Sequence, residues 1–133
     1  MSTYTFSGTV SAPISTVRAR VESALKDEGF GILTEIDVAA TLKAKLGVDR
    51  SPYLILGACN PRLADRVLAI DPSIGALLPC NVVLRQVDPG SGTVVEFMDP
   101  VAALAIAGSA EIAPIAAEAA ERLRRVLEAV LAA

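Results

Sequence analysis

Cys80-Asn81-Val82-Val83-Leu84-Arg85-Gln86-Val87, then Asp88-Pro89-Gly90-Ser91-Gly92, then Thr93-Val94-Val95-Glu96-Phe97-Met98, reads as two strands joined by a hairpin turn. Both flanks are rich in β-branched residues, and the Pro-Gly-Ser-Gly cluster between them is turn chemistry. Strands joined this way run antiparallel. Placing Val87 opposite Val94 sets Arg85 against Glu96 as a favourable cross-strand pair. In that register Cys80, Val82 and Leu84 share a face with Val95 and Phe97, which is the core face. Met98 then points away from Cys80, which argues against a Cys-Cys-Met copper site.

Upstream, Tyr4, Phe6, Gly8 and Val10 alternate with threonines and serine, the period of a half-buried strand. Pro13 suits the start of a helix that carries Ile14, Val17, Val21, Ala24 and Leu25 and stops at Gly29. Phe30 to Ile36 gives a second strand. Asp37 can cap a short helix bearing Leu42 and Leu46 and ending at Gly47. Tyr53 to Cys59 is a third, buried strand. Asn60-Pro61, Asp71-Pro72 and Asp99-Pro100 are each a cap followed by a first-turn proline. The last helix carries Ile115, Ala119, Leu123, Val126, Leu127, Val130 and Leu131 as one apolar stripe. Glu118 with Arg122 and Glu121 with Arg125 are spaced as i,i+4 pairs on its solvated side. The order is β-α-β-α-β-α-β-β-α. It predicts an α+β domain with one mixed or mostly antiparallel sheet covered by helices.

The chain has 133 residues, 53% hydrophobic and 20% charged, the size and composition of a single domain over residues 1–133. A net charge of −3 with scattered basic residues predicts no nucleic-acid partner and no anionic membrane surface. The charge-free stretches Ser51 to Pro61, Pro72 to Leu84 and Pro100 to Ala110 fall short of the roughly 18 apolar residues of a spanning helix. Met1 to Ser7 is polar and lacks a secretory pattern, so a cytoplasmic location is expected.

There is no histidine, which excludes Ser-His-Asp and Cys-His catalysis and every imidazole metal site. The two cysteines are expected to be free thiols. They form no Cys-x-x-Cys motif, and no basic cluster stands beside them to activate a thiolate. Glu35 and Asp37 share a strand face, and read as a solvent-facing residue and a cap sooner than as an acid–base pair. Gly90-Ser91-Gly92 is a turn, without the ending of a phosphate loop. Catalytic residues, resident metals and cofactors are therefore expected to be absent.

Gly29-Phe30-Gly31-Ile32-Leu33-Thr34-Glu35-Ile36-Asp37, Leu56-Gly57-Ala58-Cys59-Asn60-Pro61, Leu78-Pro79-Cys80-Asn81-Val82 and Asp99-Pro100 resemble a bacterial and archaeal family, the domain-of-unknown-function family numbered 302. The similarity runs from about Val10 to Pro100, with a looser helical tail. It implies a small single-sheet α+β fold and carries no activity with it. The family often places an aromatic and then a basic residue before the proline and tyrosine that here are Pro52 and Tyr53. This chain has Arg50 and Ser51 there.

Cys59, Asn60, Cys80 and Asn81 are the residues on which a site would be built, with Arg62 at the start of the following helix and Tyr53 at a strand end. Asn60 doubles as a cap, and cysteine is often a small buried hydrophobe. Asn81 has no such role and is unusual in a strand. The expectation is that these two Cys-Asn steps lie in one region and bind a small polar or anionic molecule, aided by the helix N-terminus after Asn60. Two alternatives are a thiol redox or soft-metal role for Cys59 and Cys80, and self-association as a homodimer through Val101 to Ala110.

Overall fold

A computed structural model describes residues 2–87 and 92–133. The chain forms β1 (Thr5–Val10), α1 (Ile14–Asp27), β2 (Gly31–Asp37), α2 (Val38–Leu46), β3 (Tyr53–Cys59) and α3 (Pro61–Ile70). A 3-10 turn (Pro72–Leu77), β4 (Cys80–Gln86), β5 (Thr93–Met98), α4 (Pro100–Leu104), a second 3-10 turn (Ala105–Ala107) and α5 (Ala113–Ala132) complete it. The five strands make one sheet in the order β1-β5-β4-β3-β2, and every neighbouring pair is antiparallel. The expected α+β class holds, with the sheet wholly antiparallel.

Polar side chains start α2, α3 and α4. Asp37 accepts from Ala40 N at the head of α2, Asn60 from Leu63 N at the head of α3, and Asp99 from Val101 N at the head of α4. Each satisfies a backbone donor that the first turn leaves open. Gly47 closes α2 in the left-handed conformation, which a side chain would disfavour.

The alternation in β4 and β5 sets the core. Val82, Leu84, Val95 and Phe97 are fully buried on one face, with Cys80 beside them. Helices α1 and α5 cover that face through Val17, Val21, Leu25, Leu123, Val126 and Val130. A second cluster joins α3, the first 3-10 turn, α4 and the N-terminal half of α5 through Leu63, Val67, Ile74, Leu104, Ile112 and Ile115. Thus α5 serves both clusters, its first turns in one and its last turns in the other. Most of its predicted stripe is buried, but Leu131 stays 44% exposed where it lies against Gly8.

The register of the hairpin differs from the expected one by two residues. Arg85 faces Val94 and Gln86 faces Thr93, and Val87 N donates to Gly92 O. A slip of two keeps every side chain on its own face, so the core face is as expected. Arg85 and Glu96 meet as diagonal neighbours, with Nη2 to Oε1 at 3.5 Å. Asp88 to Ser91, the heart of the expected turn, lie outside the described residues. Among the described residues no helix is long and apolar enough to cross a membrane.

Candidate functional site

Strand β3 ends and β4 begins at the same end of the sheet, because Ala58 pairs with Cys80. This juxtaposition brings both cysteines to one place. Asn60 closes β3 there and starts α3, which folds back over the sheet end. The gap between the two core clusters is a pocket of about 310 Å³ lined by Cys59, Asn60 and Cys80. Phe30, Ala58, Leu63, Ala64, Val67, Leu104, Ile115 and Ala119 form its walls, and Leu33, Leu68, Leu78 and Pro79 also border it.

Asn60 is buried and both ends of its amide are engaged. Oδ1 accepts from Leu63 N at 3.3 Å and Nδ2 donates to Glu28 O at 3.4 Å. Gly29, which adopts a positive φ of 84°, lets Asn60 come this close; a methyl there would stand 3.1 Å from Nδ2. The thiols are held neutral. Burial pushes the Cys59 thiol up, and burial followed by the nearby Cys59 pushes Cys80 up to about 11. Both are protonated at neutral pH, which makes them weak nucleophiles and weak metal ligands. Among the described residues no group of three or more Cys, Asp or Glu side chains is placed to hold a metal.

Three of the residues expected to form a site therefore meet in this pocket, and the other three do not. Asn81 is exposed on the opposite face of the sheet, because consecutive strand residues point to opposite sides. If Cys80 faces the core, Asn81 cannot. Tyr53 stands at the far end of β3, about 20 Å from Cys59 along an extended strand, opposite Arg85. Arg62 borders a separate basic depression beside the pocket, with Gly29, Asn60, Pro61, Leu63, Arg66, Glu118 and Arg122. The pocket interior is almost entirely hydrocarbon. The Asn60 amide, bonded to Leu63 N and Glu28 O, is held in place on its wall.

The carboxylates Glu35 and Asp37 each have structural work. Glu35 accepts from Arg18 Nε at 2.7 Å, and Asp37 caps α2. The α5 arginines do more than solvate a helix face. Arg122 Nη1 donates to Glu28 O at 3.2 Å and Arg125 Nη2 to the Glu28 carboxylate at 2.9 Å, tying α5 to the end of α1. The i,i+4 pairs also form, Glu118 with Arg122 at 3.2 Å and Glu121 with Arg125 at 3.8 Å. In the Val101 to Ala110 segment Leu104 is buried, whereas Val101 and Ile106 are exposed. Sequence reasoning missed most of the pocket walls. Ala64 and Ala119 gave the one available hint, small residues where helices line a gap.

The crystal structure of an uncharacterised conserved DUF302 protein from Bacillus stearothermophilus is similar over the whole fold. It has a TM-score of 0.88 and 31% sequence identity, over 96% of this chain and 98% of that one. Among curated proteins none matches. The model of the domain of unknown function DUF302 matches residues 6–130, and the chain accordingly belongs to the DUF302 family.

Proposed function

We propose that this protein binds a small, mainly apolar molecule in the pocket at Cys59 and Cys80, and that it does so without transforming it. The observation that carries this reading is an apolar pocket of about 310 Å³ at the seam between two core clusters. Ligand sites are commonly apolar clefts upward of about 300 Å³ with a few polar groups. The titratable side chains on its walls are the two cysteines, and burial disfavours their reactive form.

Titration calorimetry with hexanol, octanol and decanol tests it. Each added methylene buried should tighten binding by about fourfold, the equivalent of about 0.8 kcal/mol. Ala64→Phe, which fills the pocket from α3, should abolish binding while leaving the circular dichroism spectrum unchanged. No saturable binding of any alcohol, or unaltered binding by the Ala64→Phe protein, overturns the reading.

The thiol redox or soft-metal alternative draws support from the two cysteines sharing one pocket, and loses it through their raised pKa values. Reversible loss of both thiols under dilute hydrogen peroxide would favour it. Self-association rests on exposed Val101 and Ile106; a monomer in sedimentation velocity at micromolar concentration counts against it.

A further inference from the structure

We propose that the molecule taken by this pocket is a single-chain amphiphile with an anionic head, a carboxylate or a phosphate monoester, read by Arg62, Arg66 and Arg122. The proposal rests on the reading of the apolar pocket as a binding site and adds the chemistry of the ligand's other end. Asn60 and Leu63 line both the pocket and the neighbouring depression of about 650 Å³, so the two meet at the first turn of α3. Three guanidiniums border that depression against one carboxylate, Glu118. Glu118 holds two of them, with Arg66 Nη1 at 3.3 Å and Arg122 Nε at 3.2 Å. Glu28, which also approaches Arg122 at 3.9 Å, is engaged more closely by Arg125 at 2.9 Å. Positive charge is thus in excess, and two of its carriers are already oriented.

The apolar walls sharpen the argument. An anion cannot enter a hydrocarbon pocket unpaired, because its desolvation is uncompensated there. A chain seated among Leu63, Val67 and Ile115 with its end at Asn60 places an attached anion beside the arginines. Guanidinium forks match carboxylate and phosphate oxygens in charge and geometry. A neutral apolar ligand would make no use of them.

The test compares decanoate, decyl phosphate and decanol by titration calorimetry below their micellar concentrations, on the wild type and on Arg62→Glu. Arg62 is exposed, and a glutamate in the first turn of α3 suits the helix, so the variant should fold. At least one anion should bind tenfold or more tightly than decanol, and the better of the two identifies the head. Arg62→Glu should remove that advantage and leave decanol binding unchanged. Equal binding of all three compounds, or an anion advantage that survives Arg62→Glu, overturns the head-group assignment while the pocket reading stands. Binding of none of them overturns both.

Discussion

Two glycines decide how closely the pieces around the pocket approach one another. At Gly29 the backbone turns into the left-handed region just where the Asn60 amide passes. At Gly57 the constraint is purely one of space. A methyl built there would run into the Thr34 hydroxyl and come within 2.8 Å of the Pro79 ring. Thr34 sits on the exposed edge strand and can rotate, but Pro79 is fixed in the chain that leads to Cys80. Gly57→Ala should therefore cost about 1–3 kcal/mol, the usual penalty for overpacking. Gly31→Ala is the internal control, since nothing lies within 4 Å of the added methyl. It should change stability by about 0.5 kcal/mol at most. Urea unfolding of both variants checks this, and equal midpoints would show that the sheet yields at Gly57.

At the scale of elements, the caps make a graded prediction. Asn60 and Asp37 cap helices in the same way, but α3 buries Leu63 and Val67 whereas α2 buries no residue. Asn60→Ala removes a buried cap and one of the two side-chain donors to Glu28 O, leaving Arg122 as the other. A loss of about 1–2 kcal/mol in global stability is expected. Asp37→Ala should fray α2 locally. Faster amide exchange confined to Val38–Leu46, with an unchanged urea midpoint, is the expected signature.

These caps were legible in the sequence because an Asn or Asp side chain that can accept from the first helical turn is local chemistry. Helices α2, α3 and α4 begin where such a residue stands. Faces were legible too, since Asn81, Arg85 and Glu96 mark the side of the strands opposite Val82, Leu84, Val95 and Phe97. Register was not. A slip of two residues preserves the alternation, so hydrophobic pattern alone cannot separate Arg85 opposite Glu96 from Arg85 opposite Val94. Loop length is set by the turn, and nothing in the flanking strands encodes it. The candidate site divided along the same line. Cys59, Asn60 and Cys80 were found because they stand at strand ends, where chain direction changes. Asn81 was misplaced although strand period already assigned it to the other face. The walls Ala64, Ile115 and Ala119 belong to helices whose meeting depends on tertiary packing, which no local pattern reports.

For the molecule as a whole, the seam between the two clusters ties the pocket to global stability. Cys80 belongs to the sheet cluster and also lines the pocket, so its protonation state reports whether this seam stays closed. In the unfolded chain its thiol ionises near 9.0, whereas in the folded protein burial, then Cys59, raises it to about 11. The folded state thus keeps its proton over a range where the unfolded state has lost it. Stability from this source is fully present below about pH 9 and is lost as pH rises towards about pH 11. A shift of this size corresponds to about 2–3 kcal/mol. Cys59, also raised by burial, adds in the same direction. Cys80→Ala removes the titrating group and leaves a small cavity. The wild type should therefore exceed the variant in urea stability near pH 8, and that advantage should shrink or reverse near pH 11. Differences between the two proteins cancel the titration of tyrosines and lysines, which both retain. Parallel loss of stability in wild type and variant across this range would mean that water reaches Cys80 in the folded protein and that burial does not hold its proton in place.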